Sequence, residues 1–255
     1  MMLTLPLLAS SSLQPALAIP GVRAPSTVTC PPTCYYYNWA GYAVAGPTGS
    51  VSEVIGSWTV PTFTGPTCNA NEEWVSSIWI GIDGFTSSTV EQTGTSTGCN
   101  EGTAFYLAWY EFYPALSVTI PHSIFPGDSM SAEVKYASSE FTLSISDTTT
   151  AHAWSFSTTG KVSGAKRSSA EWIAESPTYL IGLVPLADFG TVYFTSDTAV
   201  TTFGSGTIGS FPSADIATIT SVCWPSGAPA KATPSSLTNS GANFDVVWDN
   251  PGPEG

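Results

Sequence analysis

An all-β chain, folded as a sandwich of two antiparallel sheets, is the fold class this sequence predicts, and three observations carry the prediction. Short runs of β-branched and aromatic residues recur at close intervals from Tyr35 onward. Clusters of Gly, Pro, Ser and Asn, the residues that make turns, separate them. No window repeats apolar residues at helical spacing, and Leu is scarce beyond the first 18 residues. In order the runs read YYYNWAGYAV, SEVIGSWTVP, EWVSSIWIGID, STVEQTGT, TAFYLAWYEFYP, SMSAEVKYA, EFTLSISD, HAWSFST, EWIAES, TVYFTSD, ATITSV and FDVVWD. About a dozen strands require two packed sheets. A propeller would show self-similarity at a fixed period, and none is present. Residues 225–241, PSGAPAKATPSSLTNSG, read as a long surface loop before the last strand.

The chain has 255 residues, enough for one large β domain with a substantial core. Charged residues make up 10% of it against 42% hydrophobic and 12% aromatic, so Ser, Thr, Gly and Asn must build the polar surface and disorder is not expected. Nineteen acidic against six basic side chains give a formal charge of −13 at pH 7, which opposes nucleic acid and anionic membrane as partners. In a medium of about pH 3 to 4 many of those carboxylates would be protonated, and few Lys or Arg remain to repel one another. That balance suits an acidic habitat; ordinary solubility by negative charge explains it equally well.

Residues 1–18, MMLTLPLLASSSLQPALA, resemble a secretory signal peptide, with an apolar stretch at Leu3–Leu8 and an A-x-A-like end at Ala16 and Ala18. The stretch is too short for a membrane span. Residues 19–34 are rich in Pro and Thr and read as a linker or propeptide remnant, leaving 35–255 as the folded domain. Five cysteines suit an exported protein with two disulfides and one leftover thiol. Cys68 and Cys99 flank two consecutive strand runs, Glu73–Asp83 and Ser88–Thr95, and a hairpin there would bring them together as a bridge. Cys30 and Cys34 lack a nearby His or second close pair, so no metal or other cofactor is expected.

Several motif matches fail in context. Residues 94–98 fit G-x-S-x-G, but a nucleophile elbow needs a helix after the strand. Gly204, Gly206 and Gly209 fit G-x-G-x-x-G without the surrounding βαβ unit. His122 falls in a turn beside Pro121 and His152 in a short alternating strand, and neither carries a triad signature. No D-T-G or D-S-G of an aspartic protease occurs.

The run at 103–114 is more informative. Period-two alternation puts Trp109, Glu111 and Tyr113 on one face and Ala108, Tyr110 and Phe112 on the other. An acid between two large rings is the composition of a groove that holds an extended polymer; a half-exposed strand with a solvated Glu is the plainer alternative. Around it stand NWAGYAV at 38–44, SIWIGIDG at 77–84, VEQTG at 90–94, the turn Pro126-Gly127-Asp128, and AEWIAES at 170–176.

In this order these motifs resemble the glutamic peptidases, or eqolisins, with N-W-x-G, W-x-G-I-D-G, Q-T-G, A-W-Y-E-x-Y-P, P-G-D and A-E-W-I. The resemblance implies a two-sheet sandwich similar to lectin and glucanase folds, with a cleft across one face. It implies Gln92 and Glu171 as the catalytic pair, with Trp79, Asp83, Trp109, Glu111 and Tyr113 lining or supporting the cleft. It further implies a secreted acid endopeptidase, insensitive to pepstatin, acting on proteins and peptides; a monomer is expected. The residue types suit that chemistry. An ionised Glu171 takes a proton from water and returns it to the leaving amine, provided its pKa lies near or below the working pH. Gln92 offers an amide N–H to the oxyanion and is uncharged at any pH. Leu107 and the pair Thr95 and Ser96 stand where fungal relatives are expected to carry acids, which bears on subsites and pH profile. Lys161, Lys166 and Arg167 hold half of the positive charges just before Glu171, as an exposed loop. Rival readings are a glycoside hydrolase using Glu111 and Glu171, and a secreted carbohydrate-binding or adhesion module.

Overall fold

The structure, a computed structural model, describes residues 33–65, 68–69, 73–179, 182–223 and 229–252. The expected leader and most of the Pro/Thr-rich segment, including Cys30, lie outside the described residues. In chain order the strands are β1 (Thr33–Tyr36), β2 (Trp39–Ala45), β3 (Val51–Thr59), β4 (Glu73–Ile82), β5 (Val90–Asn100), β6 (Thr103–Tyr113), β7 (Val118–Ile120), β8 (Ser129–Ala137) and β9 (Glu140–Asp147). The second half adds β10 (Trp154–Gly160), β11 (Ser169–Glu175), β12 (Thr178–Tyr179), β13 (Gly182–Leu183), β14 (Thr191–Thr201), β15 (Gly204–Thr207), β16 (Ile216–Val222), β17 (Ala230–Pro234) and β18 (Phe244–Trp248). Two short 3₁₀ turns, at Ile208–Ser210 and Asn239–Gly241, are the helical elements among the described residues. No helix there is long and apolar enough to cross a membrane.

One ribbon of strands runs β10-β9-β8-β3-β14-β18-β17-β16-β2-β11-β4-β5-β6-β7 and doubles over on itself. Strands β3, β8, β9 and β14 thereby pack against β4, β5 and β11, which makes the two-layer sandwich. Pairing between strands is antiparallel except where β1 runs alongside β16. The expected all-β sandwich is therefore what the chain adopts.

Between the layers lies a core containing Trp58, Ile78, Ile80, Ile82, Trp172, Phe194 and Phe244. The opposite face of the inner layer carries a second apolar group: Tyr36, Trp39, Trp79, Phe85, Trp109 and Ile173. Alternation along β6 divides as the sequence predicts, with Ala108, Tyr110 and Phe112 on the core side and Trp109 and Tyr113 on the other.

Local differences from the sequence reading have physical reasons. Strand β5 continues past Thr95 to Asn100, because Ser96–Cys99 pair residue by residue with both β4 and β6. G-x-S-x-G is thus buried strand and makes no elbow. The expected loop at 225–241 contains β17, which closes the ribbon between β16 and β18; residues 225–228 lie outside the described residues. His152 sits in the turn before β10, where its Nε2 is 2.8 Å from Asp128 Oδ1 and 3.3 Å from Asp147 Oδ2. Thr33 and Cys34, assigned to the linker, already form β1.

Cys68 and Cys99 are bonded, with Cα atoms 5.6 Å apart, and tie the outer ends of β4 and β5 as the hairpin reading requires. Cys34 is disulfide-bonded too, and Cys223 is a buried free thiol. Gly94, the glycine of Q-T-G, lies where β4 presses closest on β5. A Cβ built there would collide with Ile78 O and stand 2.6 Å from Trp79 Cβ. Gly94→Ala is therefore expected to lower stability by about 1–3 kcal/mol, the overpacking cost exceeding the gain from a stiffer unfolded chain. Chemical denaturation of the two proteins checks this, and an unchanged or higher midpoint for the variant would contradict it.

Candidate functional site

The inner layer places residues from five strands on one rung. Ala43 of β2 pairs with Glu171 of β11, Glu171 with Gly81 of β4, Gly81 with Gln92 of β5, and Gln92 with Glu111 of β6. Paired residues of antiparallel neighbours point to the same side, so Glu171, Gln92 and Glu111 face the apolar group of Trp39, Trp79 and Trp109. Gly81 places no side chain between Glu171 and Gln92, and the edge of the Trp79 ring lies over it. The Glu171 and Gln92 backbones are two strand spacings apart, about 10 Å. The backbones of Glu111 and Glu171 are three spacings apart, about 14 Å, with Gly81 and Gln92 between them.

Each side chain of the row has a defined hold. Gln92 Nε2 donates to Glu111 Oε2 at 2.5 Å, which fixes which end of the amide faces β6, while Gln92 Oε1 has no partner. Phe85 N donates to Glu171 Oε1 at 3.4 Å, and Oε2 has no hydrogen bond in good geometry. Burial pushes the Glu171 carboxyl well above its usual range, and the nearby acids Asp83 and Glu91 add to that. Glu111 is raised to about 9, again chiefly by burial, with the Gln92 hydrogen bond opposing.

The other expected residues divide into two kinds. Trp79, Trp109 and Tyr113 surround the row: Trp79 meets Trp39 edge to face at 5.0 Å, and a Cβ added at Gly81 would stand 3.0 Å from Trp79 Cζ3. Asp83 is buried instead at the end of β4, with a left-handed φ of 74°. Its carboxyl accepts from Lys166 N at 2.7 Å, Arg167 N at 2.6 Å, Ser168 N at 2.9 Å and Ser168 Oγ at 3.1 Å. Asp83 thus pins the segment entering β11, and Glu171 follows three residues later. The basic residues Lys166 and Arg167 contribute backbone N–H groups to that hold.

Two participants were not singled out in the sequence. Glu175 lies four residues beyond Glu171, on the same face of β11. Trp79 Nε1 donates to its Oε2 at 2.8 Å and Asn38 Nδ2 to its Oε1 at 3.0 Å. The period-two series Glu171, Ile173, Glu175 was the available signal. Glu91, beside Gln92 but on the core side, has no well-formed hydrogen bond for either carboxyl oxygen, and burial raises it to about 9. A separate set, Asp128, Asp147 and His152, brings three potential ligand atoms within 4.8 Å of one another on the outer layer. There Asp128 Oδ2 also accepts from Phe125 N at 2.7 Å, so the P-G-D acid serves its own turn.

A family model described as "Peptidase A4 family" matches residues 37–241. Aspergillopepsin-2 of Aspergillus niger is 32% identical over 194 residues, which is 69% of this chain and 67% of that protein. Among solved structures, scytalido-glutamic peptidase with a transition state analog inhibitor aligns with a TM-score of 0.67 at 25% identity, over 84% of this chain and 98% of that one. Aspergilloglutamic peptidase from Aspergillus niger aligns with a TM-score of 0.57 at 27% identity, over 69% of this chain and 99% of its own.

The buried acids set the direction of stability with pH. Glu91 and Glu111 titrate near 9 and Glu175 near 7 in the folded chain, against an ordinary value of 4.5. Asp197, whose carboxyl oxygens are both unpaired in the core beside Gly56, is also raised by burial. The folded state therefore binds more protons than the unfolded one above about pH 4.5, and stability is retained below that pH and lost as pH rises through about 7 and then 9. Glu91→Gln removes one such group and should flatten the decline between pH 5 and 7 by up to about 1.4 kcal/mol per pH unit. Denaturation series of both proteins across that range measure the slopes, and identical slopes would reject a neutral buried Glu91.

Proposed function

We propose that this chain, which belongs to the Peptidase A4 family and is a glutamic-type endopeptidase, cuts proteins outside the cell in acid, with Glu171 and Gln92 as its catalytic pair. The observation that carries this reading is the shared rung, on which Glu171 and Gln92 flank the side-chain-free Gly81. A scissile carbonyl and one water seated there would meet an acid–base group on one side and an amide on the other.

Glu171 acts first as base, taking a proton from the water as its oxygen attacks the carbonyl carbon, and then as acid, giving that proton to the leaving amine. Base action needs the ionised form, which burial opposes. The Phe85 N–H already favours it, and the substrate water beside the carboxyl favours it further. Gln92 holds its free N–H toward the oxyanion because Glu111 occupies the other. No covalent intermediate is needed. The leader-like residues 1–18 and the disulfide chemistry support export.

Hydrolysis of denatured casein at about pH 2 to 5, resistant to pepstatin-type inhibitors, is the expected activity. Gln92→Ala should lower kcat/KM by roughly a hundred- to thousandfold, the usual cost of one oxyanion donor. Glu171→Gln should abolish turnover. Wild-type rates in either variant, or cleavage of β-glucan with casein left intact, would refute the assignment.

A further inference from the structure

The Gln92–Glu171 reading explains two carboxyls of the cleft face, Glu171 and Glu111, and leaves Glu175 without a task. Its two donors come from separate motifs, Asn38 from N-W-x-G and Trp79 from W-x-G-I-D-G. Trp79 is fully buried, and its ring edge lies over Gly81, between Glu171 and Gln92 on the rung, since Cζ3 would lie 3.0 Å from a Cβ there. The indole is pinned at its other end by Glu175.

We propose that Glu175 is a positioning residue for peptide cleavage, holding Trp79 through its indole N–H so that the ring forms a fixed wall beside the scissile bond. This rests on Gln92 and Glu171 being the catalytic pair. Glu175 itself stands four residues along β11 from the row and touches no reacting atom. A wall displaced by a fraction of an ångström spoils alignment in the transition state more than it weakens binding of an extended chain. The loss therefore falls on kcat.

A purely structural carboxyl would also satisfy the two buried donors, so the test separates the two roles. Burial keeps Glu175 neutral below about pH 7, and a glutamine side chain is then its near-isostere. In Glu175→Gln the amide carbonyl still accepts from Trp79, and the Asn38 amide turns over so that its Oδ1, now buried without a partner, accepts from the new amide N–H. That variant should keep kcat within about threefold of wild type. Glu175→Leu, which lacks any acceptor, should lower kcat about 10- to 100-fold with KM changed less than about twofold. In a Trp79→Phe background, where the N–H is gone, Glu175→Leu should cost less than about twofold more.

Thermal midpoints are measured on every variant, and assays are run well below them. A full additional loss from Glu175→Leu in the Trp79→Phe background overturns the assignment, as does a loss in Glu175→Gln equal to that in Glu175→Leu. Should Glu175→Leu not fold, Trp79→Phe alone decides: an unchanged kcat overturns the proposal, and a roughly tenfold drop at constant KM upholds it. Gln92→Ala and Glu171→Gln are assayed alongside. If they are inactive, a failed cycle removes only the role of Glu175; if they are active, the catalytic pair itself is wrong and this assignment falls with it.

Discussion

Register across β2, β11, β4, β5 and β6 is the constraint on which the rest of the molecule depends. Because side chains alternate with a period of two, a slip of one residue in any of these strands would send its member of the row into the sandwich core. The sequence guards against that from both ends. Close approach at Gly94 admits no side chain between β4 and β5, and the Cys68–Cys99 bond clamps the far end of the same pair. Trp172 on the opposite side of β11 is fully buried and donates to Ile55 O at 2.8 Å, so β11 is keyed into the core while Glu171 faces away from it. Stability and site geometry are thus two faces of one strand.

The electrostatics follow from the same arrangement. An acidic chain normally keeps its carboxyls in water, yet Glu91, Glu111, Glu171, Glu175 and Asp197 are withdrawn into apolar surroundings. Few cations stand among them. Lys231, itself buried and lowered to about 8 by that burial, extends its charge to Glu175. Burial raises all five carboxyls, which favours their protonated forms over ion pairing. Asp83 is the contrasting case, buried but served by three backbone N–H groups and the hydroxyls of Ser168 and Thr89.

Much of this was legible in the residues. Strand class, the division of faces along β6 and the Cys68–Cys99 pairing follow from local alternation and from the geometry of a hairpin. The juxtaposition of Gln92 with Glu171 was not legible from spacing, because β4 lies between their strands and β11 enters the sheet some seventy residues after β5. Only the ordered motifs pointed to it. Asp83 reads in the sequence as lining or supporting the cleft, and its hold on 166–168 is not legible there because those partners are distant in the chain. Strand β17 escapes a local reading because Pro and Gly on either side of AKATP look like a loop, while the two neighbours that make it a strand come from elsewhere. Burial of Lys231 and Glu175 has no local signature at all.

The doubling of one ribbon also bears on the order of events during synthesis. Strand β11 sits between β2 and β4, which precede it by more than a hundred and by about ninety residues, and β2 is flanked on its other side by β16. A nascent chain that has emerged only as far as β10 holds Gln92, Glu111 and Trp79 but has no strand to supply Glu171. Contacts of such long sequence separation form late. The row of Glu171, Gln92 and Glu111 therefore assembles only when most of the chain is available, and a ribosome-bound fragment that ends at β10 still lacks the strand that completes it.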